Sequence, residues 1–401
     1  MKTNIDRIFF ACIFTLAGIL IAGCDGGGLT PDQKAAANKQ WNDARAGVLA
    51  SLAEDQYKTG NLEKCQETLD QALALEPDNA NLHLLAARLA IEQGKLDVAQ
   101  SQLAQAGKLD PKNAEVDYLS GVLLQRWQQP RKACDAYAAA AAKNPAELSY
   151  LLAQAEMLVV LGEPTEALNL LKAKAPQFEH SGVIRDEIGQ ILVQQKQYSQ
   201  AVVVLREASI LAGEDDSIRE HLAFALLNDR EFAEAVDLFA RLTRVPGNEK
   251  RADLFAALGE CQSQTNQLPD AKASYESATR LAPTNGGYWL GLGKVAVQSG
   301  DLPAAESAVR KALGLDKHNA EAMCLLGYIR LKQNQLPASL AAFHAAAEQD
   351  PADSVSVCLQ GYVLSRMGRA AEAKPFYSRA LQINPNDELA NRLMAGAVSH
   401  D

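Results

Sequence analysis

The sequence predicts an all-α solenoid of about ten stacked helical hairpins, closed by a C-terminal capping helix. Three observations carry that fold class: small residues recur with a period of 34, bulky apolar residues follow them at a fixed offset, and Gly or Pro punctuates each period at matching places. Composition agrees. Aromatics are only 6 % of the 401 residues and Ala and Leu dominate, which suits short helices packed small against large. An array that grows by stacking accommodates this length without unlike domains.

The first segment is excluded from the fold. Lys2 and Arg7 precede an uncharged apolar run from Ile8 to Ile21, the pattern of an export signal. Its end, Leu20-Ile21-Ala22-Gly23-Cys24, resembles the lipobox of bacterial lipoproteins, which implies cleavage before Cys24 and attachment of lipid to its thiol. The alternatives are an uncleaved anchor and ordinary secretory cleavage, but the run is marginal in length for a spanning helix. Asp25 resembles the residue that retains enteric lipoproteins in the inner membrane, which implies the periplasmic face of that membrane. The inner leaflet of the outer membrane is the alternative. Residues 25–29 form a tether of at most about 17 Å, and Thr30-Pro31-Asp32 reads as a helix cap with proline in the first turn.

The repeat register is set by positions that hold only small side chains. Ala53, Ala87, Gly121, Ala155, Gly189 and Ala223 form one series; after two inserted residues it resumes at Gly259, Gly293, Gly327 and Gly361. A second series, twelve residues later, reads Cys65, Ala99, Ala133, Ala167, Ala201, Ala235, Ala271, Ala305, Ser339 and Ala373. Two helices approach closely only where facing positions lack bulk, so the paired series mark hairpin crossings. One helical turn beyond the second series come Leu69, Leu103, Tyr137, Leu171, Leu205, Phe239, Tyr275, Val309, Phe343 and Tyr377, on the same face. Pro77, Pro111, Pro145, Pro283, Pro351 and Pro385 stop each second helix, and Gly60, Gly94, Gly300 and Gly368 mark turns inside hairpins.

This order of small, aromatic and proline positions resembles the tetratricopeptide repeat, with the best copies at Trp289, Leu292, Gly293 and Ala305, and at Phe255, Leu258, Gly259, Ala271, Tyr275, Ala278 and Pro283. The resemblance covers residues 44–385 and implies a right-handed superhelix whose concave surface is lined by first helices. Glu179, Gly213 and Gly247 replace the expected proline and Lys174 a small residue, so loose or tilted hairpins are expected there. The insertion within Pro246 to Ala252 predicts a longer loop or bend. The resulting organisation is signal 1–23, lipidated Cys24 and tether 24–30, repeats one to six over 31–247, repeats seven to ten over 248–385, and a cap and tail over 386–401, with the cap helix at Asp387 to Val398.

No catalytic residue, metal site or cofactor is expected. The net charge of -10 disfavours a nucleic-acid backbone as ligand. Gly291-Leu292-Gly293-Lys294 falls inside a helix and lacks the strand that a phosphate loop needs. The six histidines have no ligand spacing and read as solvated or capping residues. Cys65, Cys134, Cys261, Cys324 and Cys358 read as buried free thiols.

The register places Glu54, Tyr57, Lys58, Arg88, Asp186, Glu260 and Lys294 on the first-helix surface, with Tyr118, Arg126, Phe224, Tyr328, Lys332, Tyr362 and Arg366 as candidate partner-binding residues. Cys324, Tyr328 and Lys332, and their counterparts Cys358, Tyr362 and Arg366, are expected as adjacent rows of thiol, phenol and cation. The lysine and asparagine clamp by which some family members hold a terminal carboxylate has no match at these positions. The resulting expectation is a lipid-anchored periplasmic scaffold for protein or peptide partners in pilus assembly, exopolysaccharide export or a cell-wall enzyme complex. The alternatives are direct binding of an envelope polysaccharide and an accessory domain of an export pore; oligomeric state stays open.

Overall fold

The computed structural model describes residues 30–398. The export signal, Cys24, the tether residues before Thr30 and the tail beyond Val398 lie outside the described residues. Among those described the chain forms 21 α-helices and no strand, and none of the helices is long and apolar enough to cross a membrane.

The chain divides into two compact units, the first ending at Leu161 and the second beginning at Gly162. The first contains α1 (Pro31–Lys58), α2 (Leu62–Leu75), α3 (Ala80–Glu92), α4 (Leu96–Leu109), α5 (Ala114–Arg126), α6 (Pro130–Lys143) and α7 (Leu148–Val160). The second begins with α8 (Pro164–Lys174) and a 3-10 turn (Ala175–Phe178). It continues through the hairpins α9 (Gly182–Gln194) with α10 (Tyr198–Ala212), α11 (Asp216–Asn228) with α12 (Phe232–Leu242), and α13 (Ala252–Gln264) with α14 (Leu268–Leu281). Next come α15 (Gly286–Gln298) with α16 (Leu302–Leu315), α17 (Ala320–Lys332) with α18 (Leu336–Gln349), and α19 (Ser354–Arg366) with α20 (Ala370–Ile383). The last helix, α21 (Glu388–Val398), packs on α20. Neighbouring helices in sequence are neighbours in space within each unit.

Local chemistry explains where the helices begin and end. Thr30 caps α1 in a capping box with Gln33, and Pro31 occupies the first turn, where its missing N–H is harmless. First helices share a second cap that the sequence reading missed. Asn79, Asn113, Asp215, Asn285, Asn319 and Asp353 each accept first-turn backbone N–H groups, and Asp387 does the same for Ala390 at 3.0 Å in α21.

Each hairpin turn needs a residue at positive φ, and ten occur in register. Gly60, Gly94, Gly162, Gly300 and Gly368 fill five, while Gln128, Lys196, Arg230, Asn266 and Asn334 take the same conformation with φ between 57° and 65°. Only the glycines were legible as turns.

The core follows the three residue series. Every member of the second small series has 0 % exposure, and the bulky series is buried throughout. Close approach is visible at Gly121, where an added Cβ would lie 2.5 Å from the Tyr137 ring, and at Gly361, where it would lie 2.7 Å from Tyr377. Gly291 and Gly293 have the same role against Tyr275 and Val309, so the glycines of that basic fragment are packing positions inside α15.

The departures from the repeat pattern have local consequences. After Lys174 the chain tightens into the 3-10 turn, Gly213 ends α10 at φ 65°, and residues 243–251 connect α12 to α13. The loose stacking expected here does not hold for α9 and α10. A Cβ on Gly182 would meet the Ala208 carbonyl oxygen at 2.8 Å, and Gly189 lies against Leu205. Glycine at the start of α9 lets its backbone close onto α10 where the proline stop is missing.

Candidate partner-binding groove

Four of the sequence-selected residues meet in one groove of the second unit. Tyr328 and Lys332 come from α17, Tyr362 and Arg366 from α19, and the groove encloses about 420 Å³ between them. Tyr328 and Tyr362 flank an apolar cluster of Leu331, Phe343 and Val363, so each ring is anchored below and partly open above. Lys332 Nζ lies 5.2 Å from the Tyr328 ring centroid, within range of a cation–π contact. Arg366 Nη1 points at the Tyr362 hydroxyl at 3.5 Å. Both cations are exposed.

Several residues of the groove were missed. Leu331, Leu359 and Asn334 line it, and Leu389 reaches in from α21 with 37 % exposure. Leu331 and Leu359 look like ordinary core leucines in sequence. Leu389 belongs to a helix read only as a cap.

The thiols do not join the rows expected of them. Cys358 has 0 % exposure in the cluster of Val357, Leu364 and Tyr377, and Cys324 is only partly exposed. Four residues advance a helix by about 400°, so a row one turn long rotates about 40° away from the groove. Burial pushes the Cys358 thiol up to about 12 and raises that of Cys324. All five described cysteines are free.

The remaining candidates lie elsewhere. Tyr118 is half-buried in an aromatic stack, 5.5 Å from Tyr137 and 4.9 Å from Tyr150. Tyr150 was missed because its register position is aliphatic in the neighbouring repeats, at Leu82, Val116, Ile184 and Ile218. Arg126, two turns along α5, is exposed. Phe224 is a wedge of its own hairpin, edge-on to Phe239 with centroids 5.1 Å apart.

Two surface assignments require correction. Asp186 is only 8 % exposed, because its carboxylate accepts from Gln190 at 2.8 Å and meets His221 Nδ1 at 2.8 Å across from α11. His221 is therefore a tie between first helices rather than a solvated or capping residue, and the Asp186 hydrogen bond raises its pKa.

Several charges on other first helices are compensated. Arg88 pairs with Glu115, Lys58 with Glu54 at 3.2 Å and Lys294 with Glu321 at 2.6 Å. Among the described residues neither Lys332 nor Arg366 has a carboxylate partner. No cluster of three potential metal ligands occurs among those residues either.

Stacked two-helix units with an open, mixed aromatic and cationic first-helix face define a helical-repeat interaction protein. Tetratricopeptide-repeat models match residues 57–123, 257–322 and 356–387. The chain carries tetratricopeptide repeats, which support a role as a scaffold for protein–protein interaction. No curated protein matches it in sequence. Similar solved structures include the APC/C hetero-tetramer Cut9-Hcn1, with 13 % identity over 88 % of this chain and 96 % of that one and a TM-score of 0.47. YrrB, described as a TPR protein with an unusual peptide-binding site, shows 22 % identity over 47 % and 96 %, with a TM-score of 0.38. MamA shows 17 % over 41 % and 95 %, with the same TM-score of 0.38.

Proposed function

We propose that this chain is a lipid-anchored periplasmic scaffold, held through Cys24 at the inner membrane, that binds protein or peptide partners of an envelope assembly. Pilus assembly, exopolysaccharide export and cell-wall enzyme complexes are the settings in view. The observation that carries the binding role is the groove of Tyr328, Lys332, Tyr362 and Arg366, where rigid aromatic area and uncompensated cations adjoin. The anchor rests on the lipobox-like end of the signal. Direct polysaccharide binding has less support, because Lys311 Nζ occupies one face of the Trp289 ring at 4.0 Å from the centroid.

The test has two arms. A palmitate analogue should label the wild type and not Cys24→Ala; labelling of the variant removes the anchor. A photo-crosslinking residue at position 332 should join the chain to a discrete envelope polypeptide in cells, and one at exposed position 203, on a second helix, should not. Arg366→Gln, at an exposed side chain, should lower the 332 crosslink while leaving the helical melt unchanged. Equal crosslinking from both positions, or none from 332, removes the groove from the function.

A further inference from the structure

We infer that the groove between α17, α19 and α21 takes an extended acidic segment from inside a partner polypeptide, read by two side-chain carboxylates on alternate residues. The inference rests on the groove being the binding surface and adds the chemistry of its occupant.

Charge complementarity gives the sign. The chain as a whole carries -10, and several first-helix cations are neutralised by carboxylates of their own or the next hairpin, as in Lys58 with Glu54 and Lys294 with Glu321. Lys332 and Arg366 stand together in one groove whose lining residues include no carboxylate. Each instead rests on a tyrosine, through the ring face of Tyr328 or the hydroxyl of Tyr362. Those contacts orient a cation without neutralising it, so an incoming carboxylate gains a charge-assisted hydrogen bond without displacing another carboxylate. Apolar side chains of the same segment would meet Leu359 and Leu389, which are not fully buried.

Spacing gives the form of the ligand. Lys332 and Arg366 hold equivalent positions on first helices of successive hairpins, so they reach the groove from two different helices. Each cation can therefore take a carboxylate of its own. Two carboxylates at positions i and i+2 of an extended chain point the same way and are separated by about 6.6 Å. The flexible lysine and arginine stems let each cation reach one of them. Two cations on separate hairpins thus match two side-chain carboxylates, where a chain terminus offers one.

The experiment uses the full-length protein in detergent and three fluorescein-labelled peptides: Leu-Glu-Leu-Glu-Leu amide, Leu-Gln-Leu-Gln-Leu amide, and the glutamine peptide with a free terminal carboxylate. Fluorescence anisotropy should show the glutamate amide bound at least tenfold tighter than either other peptide, with the preference shrinking as salt rises. Lys332→Gln and Arg366→Gln should each reduce it several-fold and together abolish the preference. Both are exposed, so the variants should fold, which their helical melts will check. Equal binding of all three, tightest binding of the free carboxylate, failure to bind any, or a preference that survives the double variant overturns the inference. The crosslink from position 332 in cells is read separately, so the groove can remain a docking surface even if its occupant is not acidic.

Discussion

Replacing Gly291 with alanine should destabilise the second unit, although alanine is the better helix former. The Tyr275 ring of α14 is held between Gly259 of α13 and Gly291 of α15. An added Cβ at 291 would lie 2.5 Å from Tyr275 Cζ and 2.9 Å from its hydroxyl oxygen. Carbon atoms in contact prefer about 3.5–4.0 Å, so the ring would have to move by about 1 Å. It cannot slide away toward α13, where a Cβ on Gly259 would already meet it at 2.8 Å. Overpacking of this kind costs about 1–3 kcal/mol, while replacing a mid-helix glycine returns about 0.5–1 kcal/mol. The expected net loss is about 1–2 kcal/mol. Gly314, in α16, has no atom within 4 Å of its added Cβ, so Gly314→Ala should instead gain up to about 1 kcal/mol. Urea unfolding followed by circular dichroism gives the order of stabilities, and hydrogen exchange places the loss in α14 and α15. Tyr275→Leu, which removes the outer ring atoms, should make Gly291→Ala far less costly in a double-variant cycle. A Gly291→Ala protein as stable as Gly314→Ala, or additive behaviour with Tyr275→Leu, would refute the packing argument.

Two further outcomes follow from local geometry. The Asp186 carboxylate favours protonated His221 and raises its folded pKa above the ordinary value near 6.5. The stabilisation is therefore complete below about pH 6.5 and lost as pH rises through the raised value; urea midpoints at pH 6 and pH 8.5 should differ more in the wild type than in His221→Asn. Gly300→Ala should cost about 1–2 kcal/mol because its φ is 78°, whereas Arg230→Gly, at φ 65°, should gain up to about 1 kcal/mol; thermal melts that move both variants in one direction would contradict the turn assignment.

Much of the fold is legible in the sequence because hairpin packing is a short-range problem repeated many times. A position such as Ala271 must stay small in order to meet Gly259 across its own hairpin, and Tyr275 must be bulky to fill the space beside it, so both requirements recur with the period. The turn at Gly300 is legible for the same local reason. Lys196 and Arg230 are not, since nothing in a charged long side chain announces positive φ. Their conformation is imposed by the hairpin around them.

The candidate groove was only half legible. Tyr328, Lys332, Tyr362 and Arg366 could be placed on one face by helical spacing, and the structure brings them together. Leu389 could not, because its place in the groove depends on how α21 packs against the preceding hairpin. Asp186 and Cys358 mark the same limit from the other side: helical register gives a direction from the axis, while burial depends on what the neighbouring helix puts there. His221 arrives opposite Asp186 from the next first helix, and α20 with α21 closes over Cys358. By itself the sequence determined the helical hairpins, their period and the size of the side chain at each crossing, because those are set by contacts within one repeat. Only the tertiary structure decided which surface charges find partners and which side chains stay exposed, because both depend on the distances between helices of successive repeats.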